Sequence, residues 1–377
     1  MASSQTSPPL DDGPKVGGLS RRQFMKWCSV ITAALALPVK YNQRIANALT
    51  SADRPPVVWL EFQDCTGDSE AFLRSSHPTP AEVILDLISL NYHETLMAPA
   101  GKAAEKSLHD TITSAKGKYL VVVEGSIPLA ADGAYCTIAG RSAVEILKEV
   151  AADAAAIVAV GTCAAYGGLP AAAPNPTNAV GVRDIIKNKP ILNLAGCAVN
   201  GLNITATIAH FLTFGALPAA DDEGRPLFAY GALIHDNCPR RGWFDTGRFV
   251  QEWGDQGHRD GWCLYKMGCK GPKSHNNCPQ IGFNDNTSWP IGAGHPCIAC
   301  SEPGFWDGST PFYAWMGEKH LPAFANPEKK QAPLGLALGA AGAAAFAGVG
   351  AGAMAWQKKQ QARTAPESEQ SPSGEGR

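Results

Sequence analysis

Residues 57–70 read VVWLEFQDCTGDSE, an apolar run followed by a short polar loop that contains Cys65 and Asp68. Three further apolar runs follow along the chain: YLVVVEG at 119–125, AAIVAVG at 155–161 and PILNLAG at 190–196. Helix-length stretches lie between them, such as PAEVILDLISLNY (80–92) and RSAVEILKEVAADA (141–154). Continuous β-branched runs that alternate with helices are typical of βαβ units. Residues 55–215 are therefore predicted to form a doubly wound α/β domain, a parallel sheet with helices on both faces.

Cysteines follow most of these predicted strands. In such sheets, ligands bind at the carboxyl ends of the strands. Three of the four runs are followed there by a cysteine: Cys65, Cys163 in GTCAAYGG and Cys197 in AGCAVNG. The remaining run leads into VEGSIP and places Glu124 on the same rim. Residues that are far apart in the sequence are therefore expected to converge on one edge of the sheet.

The composition limits the possible functions. The chain has 377 residues, of which 45% are hydrophobic, and this is enough for two domains with apolar cores. The formal net charge is −2 and no long basic block occurs, so a nucleic-acid partner is not indicated. Eleven cysteines are an unusual number, and they point either to disulfides or to metal ligands.

The N-terminus has the pattern of an export signal. SRRQFMKW at 20–27 places two arginines before a short apolar segment, and Ala46 to Ala48 offer small residues for cleavage. Residues 1–48 are therefore predicted to be a twin-arginine signal peptide, which would remove Cys28 from the mature chain. That route carries folded proteins. A protein that receives its cofactor in the cytoplasm needs such a route, because it must cross the membrane already folded. The alternative is a chance arginine pair before an apolar helix.

A second apolar segment lies near the C-terminus. Residues 334–356 carry no charge and are long enough to cross a bilayer of about 30 Å. The basic stretch QKKQQAR follows at once, which fits a cytoplasmic C-terminus. We predict a transmembrane anchor, with a buried soluble helix as the alternative because alanine and glycine dominate the segment. Residues 357–377 are predicted to form a disordered tail.

Residues 216–325 have a different character from the predicted sheet domain. Residues 235–310 are rich in Gly, Pro, Asn, Trp and Cys, and they show no sustained helical or strand period. Loops of this kind need another source of order. Bound metal can supply it, because the binding energy then contributes to folding.

The candidate ligands form three groups. The first is Cys65, Cys163 and Cys197, with Asp68 where a fourth thiolate would be expected; the second is His235, Cys238, Cys263 and Cys269; the third is Cys278, Cys297 and Cys300. Groups of four, four and three in a chain with a folded-cargo signal favour iron-sulfur clusters, which take their ligands chiefly from thiolates. Zinc and disulfides are the alternatives. Cys136 is left over and is predicted to be a buried structural thiol.

Several motifs together resemble the small subunit of nickel-iron uptake hydrogenases. They are the signal, QDCTGDSE, VEGSIP, GTCAAYGG, the HxxC pair, CLYKMGCKGP, HPCIACSEPGFWD and the C-terminal anchor, in the same order as in the family. The resemblance implies a flavodoxin-like α/β domain, an irregular iron-sulfur cluster domain and a C-terminal transmembrane helix.

The resemblance also implies three clusters. Cys65, Asp68, Cys163 and Cys197 would hold a proximal 4Fe-4S cluster; Cys278, Cys297 and Cys300 a medial 3Fe-4S cluster; and His235, Cys238, Cys263 and Cys269 a distal 4Fe-4S cluster. The nickel-iron catalytic centre would lie in a separate large subunit, so no residue of this chain is expected to be catalytic.

The implied function is that of an enzyme subunit, which conducts electrons from H2 oxidation to a membrane cytochrome b or another quinone-linked acceptor. The expected partners are the large subunit, in a heterodimer or a higher oligomer, and the membrane, with the mature domain on the periplasmic face. The rival hypothesis is an exported zinc- or disulfide-stabilised binding protein without redox activity.

Two positions depart from the common family pattern. Most members read CTGC where this chain reads CTGD, and Asp68 is interpreted as a carboxylate ligand. There are two alternatives: Asp68 is a solvated loop residue beside a three-iron or water-ligated cluster, or Asp64 is the ligand. Pro290 stands near the position where members with a medial 4Fe-4S cluster carry a cysteine. Gly67 and Gly168 occupy the positions of the two extra cysteines of six-cysteine proximal sites, which excludes that variant.

Three other residues have open roles at this stage. Glu124 could assist proton movement or could cap backbone amides. Lys266 and Lys270 could line an electron exit, but solvated surface positions are favoured for both.

Overall fold

The computed structural model describes residues 21–50, 54–76, 78–283 and 286–317. Five parallel strands form its central sheet: β1 (Pro56–Glu61), β2 (Ser89–His93), β3 (Leu120–Glu124), β4 (Ala156–Val160) and β5 (Ile191–Leu194). They pair in the order β2–β1–β3–β4–β5. This is the flavodoxin-like order, so the predicted doubly wound sheet is confirmed.

The strands are buried on both faces of the sheet. In β1, Val57 and Trp59 pack into the apolar core on one face, and Val58 and Leu60 pack into the core on the opposite face. The same alternation holds along β3, β4 and β5 because successive side chains of a strand point to opposite faces. Burial on both sides explains why the strands read as continuous apolar runs rather than alternating ones.

Helices cover both faces. The longer ones are α1 (Arg21–Ala34), α2 (Asn42–Leu49), α3 (Gly67–Leu73), α4 (Lys102–Ser114), α5 (Ala143–Ala152), α6 (Gly161–Tyr166) and α7 (Gly201–Phe214). Helices α4 and α5 contribute to the core that contains Val58, whereas α1, α2, α3 and α7 contribute to the core that contains Val57. Shorter elements are the helical turn Pro80–Glu82, the π-helical turn Val83–Leu87, and the strand pairs Ile127–Pro128 with Ala179–Val180 and Thr137–Ile138 with Arg141–Ser142.

One predicted helix was wrong in its second half. The stretch 80–92 was expected to be helical throughout, but the helical turns end at Leu87 and residues 89–93 form the edge strand β2. Tyr92 packs into one core of the sheet while Leu90 packs against the other. In a regular strand these two side chains would share a face, but the pairing of β1 with β2 shifts register between Val57 and Val58, which turns them to opposite faces. The contacts on both faces next to β1 outweigh the helical spacing of the apolar residues before it.

The N-terminal segment packs onto the sheet domain. Helices α1 and α2 bury Trp27, Ile31 and Ile45 in the same apolar core as α7. Cys28 is fully buried in α1, and Ala46, at the predicted cleavage region, is buried in α2. The first twenty residues of the predicted signal peptide lie outside the described residues.

The region after α7 has little regular structure, as predicted. No described helix there is longer than five residues; the short turns are Leu227–Tyr230, Arg241–Asp245, Gln256–Arg259, Tyr265–Met267, Gly271–Lys273, Cys278–Ile281 and Phe305–Gly308. Its apolar core is small, and three of its buried members are cysteines: Cys269, Cys278 and Cys297.

The predicted anchor at 334–356 and the tail at 357–377 lie outside the described residues. Within the described ranges, no helix combines the length and the hydropathy needed to cross a bilayer.

Candidate metal centres

The first group of ligands lies at the carboxyl ends of three strands. Cys65 follows β1, Cys163 lies in α6 directly after β4, and Cys197 follows β5. Burial, together with three neighbouring acidic groups, raises the pKa of the Cys163 thiol to about 12; these neighbours are Cys197, Asp68 and Cys65. The structure therefore brings together all four residues of the predicted proximal set. Cys65 and Cys197 are also exposed, so this group lies at the surface.

Asp68 points toward this group from the first turn of α3. Its carboxylate accepts a hydrogen bond from the backbone N–H of Val199 at 2.6 Å, and the side chain is buried. Burial and the nearby Glu124 raise the pKa of Asp68 to about 8. A Cβ atom at Gly161 would lie 1.9 Å from Asp68 Oδ2, so only glycine leaves room for this carboxylate. The geometry is that of a buried carboxyl, not of a solvated loop residue.

Asp64 faces a different set of groups. Its carboxylate lies with those of Glu61 and Glu124, all within 4.8 Å of one another. Asp68 is thus the carboxylate that neighbours the cysteines.

Glu124 caps backbone amides. Its carboxylate accepts hydrogen bonds from the N–H groups of Asp68 at 2.9 Å and Ser69 at 3.1 Å, and from Trp59 Nε1 at 3.2 Å. A carboxylate at the first turn of a helix satisfies donors that have no partner within the helix. Of the two roles considered for Glu124, the structure shows the capping one.

The third group surrounds a cavity. Its lining contains Cys278, Cys297 and Cys300, and Pro290 forms part of the same wall. Pro290 therefore lies where a fourth thiolate would reach this group. Because proline offers no ligand atom, the described wall supplies three thiolates.

The second group also lines one cavity, formed by His235, Cys238, Cys263 and Cys269 among others. His235 Nε2 is buried and has no hydrogen-bond partner among the described residues. Burial lowers the pKa of His235 to about 4, so the imidazole is neutral and can act as a ligand. Buried polar atoms normally have a hydrogen-bond partner. This ring nitrogen has none among the described residues, and together with the three thiols it forms a donor set that suits a metal centre.

The three groups lie in a row. The hydroxyl of Thr162, next to Cys163 of the first group, donates a hydrogen bond to the carbonyl of Cys300 in the third. The backbone N–H of Lys270, next to Cys269 of the second group, donates to the carbonyl of Cys297 in the third at 2.8 Å. Burial raises the pKa of Cys269, in the second group, and the neighbouring Cys297 of the third group raises it further. The third group is thus in contact with both of the others, as expected for a medial position.

Donor spacing argues against zinc and disulfides. Among the described residues, Glu61, Asp64 and Glu124 are the one set of three such groups whose ligand atoms lie within 4.8 Å of one another. Thiolates around one Zn²⁺ would lie about 3.8 Å apart, given Zn–S bonds of about 2.3 Å. All eleven cysteines lie in the described ranges and all are free thiols.

Comparison with known proteins gives the family. Residues 230–313 match the family of C-terminal regions of the NiFe/NiFeSe hydrogenase small subunit, and residues 65–211 match "NADH ubiquinone oxidoreductase, 20 Kd subunit". The quinone-reactive Ni/Fe-hydrogenase small chain of Wolinella succinogenes is 49% identical over 78% of this chain and 84% of its own length. This chain is a small subunit of the nickel-iron hydrogenases. As such it transfers electrons, holds iron-sulfur clusters and pairs with a large subunit.

Other small subunits agree with this assignment. The uptake hydrogenase small subunit of Azotobacter vinelandii is 47% identical over 87% of this chain and 90% of its own length. The solved [NiFeSe] hydrogenase of Desulfovibrio vulgaris Hildenborough is 37% identical, with a TM-score of 0.65, over 70% of this chain and 99% of the solved chain.

Three features of the small subunit differ from the predictions or were not predicted. Lys270 is buried rather than solvated, and its Nζ donates a hydrogen bond to the Ala314 carbonyl at 2.7 Å. Cys136 is half-buried and packs against the sheet core that contains Val58. The buried polar residues Ser69 and His93 next to the first group gave no motif signal, because their contacts join strands that are distant in sequence.

Proposed function

We propose that this small subunit holds two 4Fe-4S clusters and one 3Fe-4S cluster, and that it conducts electrons from H2 oxidation to a quinone-linked membrane acceptor such as a cytochrome b. The observation that carries the proposal is the row of three donor groups, in which the third is hydrogen-bonded at Cys300 to the neighbour of Cys163 and at Cys297 to the neighbour of Cys269. When bound, the clusters would supply one-electron relay sites.

Each donor group has a defined part in this proposal. Cys65, Asp68, Cys163 and Cys197 hold the proximal cluster; Cys278, Cys297 and Cys300 the medial one; and His235, Cys238, Cys263 and Cys269 the distal one. The exposed Cys65 and Cys197 put the proximal group at the surface that the large subunit would cover. In the medial group, Pro290 closes the position of a fourth ligand.

Asp68 is proposed as the fourth proximal ligand. Its buried carboxylate neighbours the three thiols, and Gly161 gives it the space that a side chain would fill. A carboxylate is a harder donor than a thiolate, so the proximal cluster should differ in potential from that of an all-cysteine site.

Electrons are proposed to leave at the distal group, on the side of the membrane. Tyr265 lines the distal cavity, and its hydroxyl donates a hydrogen bond to the carbonyl of Gly317 at 2.7 Å. The chain therefore passes the distal group shortly before the apolar segment 334–356, which is proposed to be the anchor. A quinone-linked acceptor agrees with the printed name of the Wolinella relative.

Metal analysis of the purified heterodimer tests the cluster set. We expect about eleven irons in this subunit with matching acid-labile sulfide. Zinc or disulfides in their place would overturn it. Asp68→Ala tests the ligand assignment, with Asp222→Ala, an acidic residue outside the three groups, as its control. The EPR signal of the proximal cluster should change only in Asp68→Ala, and an unchanged signal there would show that Asp68 is no ligand.

Export by the twin-arginine route is proposed from the sequence of residues 20–27. The double substitution Arg21→Lys and Arg22→Lys keeps the charge but removes the guanidinium groups. Cell fractionation should find the enzyme in the cytoplasm, still folded and with hydrogenase activity. Normal export of the double variant would contradict the proposed route.

A further inference from the structure

A buried polar network lies behind the proximal group. We call it the Ser69 network, and its members are Glu61, Ser69, His93 and Glu124. All four side chains are buried, at 8% exposure or less. Their residues come from three neighbouring strands and from α3, so the network joins the loop of the proximal ligands to the edge of the sheet.

Ser69 is the centre of this network. Its Oγ donates a hydrogen bond to Glu124 Oε2 at 2.5 Å, and His93 Nε2 lies 3.2 Å away on another side. Glu61 Oε1 lies at 3.5 Å, which is too long for a competing O–H···O bond. A hydroxyl has one proton, and here Glu124 takes it. His93 Nε2 must therefore donate to Ser69 rather than accept.

The other ring nitrogen of His93 faces a carboxylate. His93 Nδ1 lies 3.3 Å from Glu61 Oε2, and the backbone N–H of Thr95 donates to the same oxygen at 2.9 Å. The Thr95 hydroxyl lies 3.2 Å from the same ring nitrogen, so the imidazole is held between Ser69 on one side and Glu61 and Thr95 on the other.

The network ends on the proximal ligand loop. Glu124 receives the Ser69 hydroxyl and also the backbone N–H groups of Asp68 and Ser69. The position of the Glu124 carboxylate thus sets the first turn of α3, which carries Asp68. A shift of Ser69 would turn Glu124 and, with it, the backbone that aims the Asp68 carboxylate at Cys163 and Cys197.

We propose that His93 and Glu61 are positioning residues of the proximal centre, which act through Ser69 and Glu124 to fix the orientation of Asp68. This rests on the proposed proximal cluster. Residues that orient metal ligands from behind affect metal affinity or activity by about 10- to 100-fold when they are replaced. Neither residue belongs to a ligand motif of the sequence, because both lie several positions away from every proposed ligand.

The test uses the complete heterodimer with His93→Gln or Glu61→Gln. Glu61→Gln keeps the size of the side chain and retains an oxygen that accepts the hydrogen bond from the Thr95 N–H. It is therefore the variant to measure if the His93→Gln protein does not accumulate. His109→Gln is the matched control, because His109 is exposed on α4. Redox titration followed by EPR should show a shifted potential and an altered signal for the proximal cluster, with the medial and distal clusters as in wild type.

Two outcomes would overturn the proposal. One is a proximal signal and potential equal to those of wild type in a fully metallated variant. The other is a lower melting temperature with an unchanged proximal potential, which would show a packing role alone. Absence of a proximal signal in the wild-type enzyme is distinguishable from both, since it would overturn the proposed cluster set on which this proposal rests.

Discussion

At the scale of single residues, the proximal centre depends on one glycine as much as on its ligands. Gly161 has a φ of +83°, a conformation that residues with a Cβ rarely adopt, and it touches the Asp68 carboxylate. The carboxylate at position 68, where most family members carry a thiolate, therefore needs the space that a glycine at position 161 in α6 leaves free. The two residues are separated by more than ninety positions, so no local motif could link them.

Gly161→Ala should disrupt the proximal centre. The left-handed backbone alone costs about 1–2 kcal/mol for alanine, and the new methyl group would overlap Asp68 Oδ2. Gly140→Ala is the matched control, because Gly140 has a φ of +80° but an added Cβ would meet no described atom within 4 Å. Denaturant unfolding should show a larger loss of stability for Gly161→Ala, together with an altered proximal EPR signal. Equal losses in the two variants would contradict the contact with Asp68.

His235→Cys should keep the distal cluster and lower its potential. His235 is neutral, so the substitution replaces an uncharged ligand with a thiolate and adds negative charge to the reduced centre. Replacing cysteine with histidine raises the potential of iron-sulfur centres, and the reverse exchange should lower it. Redox titration of the distal signal measures the shift, and the proximal potential is the internal control. A distal potential equal to that of wild type would argue against His235 as a ligand.

At the scale of elements, the apolar runs predicted four of the five strands, because a strand buried on both faces is continuously apolar. The edge strand β2 was missed since its sequence, SLNYH, is only half apolar and follows a helical pattern. The three cysteine groups were predicted from spacing and strand ends. The Ser69 network could not be, because its hydrogen bonds span up to 55 positions and use ordinary polar residues.

Pro290→Cys should convert the medial centre. Pro290 lies in the wall of the cavity that holds the three medial cysteines, so a thiolate there would offer a fourth ligand. The iron content should rise by about one atom per heterodimer, and the medial potential should fall as a ligand charge is added. Pro290→Ser, which introduces no thiolate, is the control. Identical iron contents in the two variants would show that this wall does not face the cluster.

At the scale of the whole molecule, the donor groups form a line from an exposed proximal face to the distal group beside Gly317. Gly317 and Leu334 are seventeen positions apart, a length that reaches at most about 60 Å when fully extended. If residues 334–356 are the proposed anchor, this length sets the greatest distance between Gly317 and the bilayer.

Truncation after Pro333 should separate these two roles. The shortened subunit keeps all eleven proposed ligands and lacks the apolar segment. The heterodimer should become extractable without detergent and should still reduce an artificial dye with H2, but quinone reduction by membranes should be lost. The full-length enzyme is the control. Undiminished quinone reduction by the truncated form would show that residues 334–377 are not needed to reach the acceptor.

The small apolar core after α7 is built partly from cysteines that the proposed clusters would occupy. The sheet domain has two large cores of its own, whereas this region would depend on the iron of the proposed clusters for much of its order. In a cell short of iron, the sheet domain of a newly made subunit would fold, but the region after α7 would stay unfolded and accessible to proteases. The abundance of the subunit would then follow the iron supply, with no need for a separate sensor.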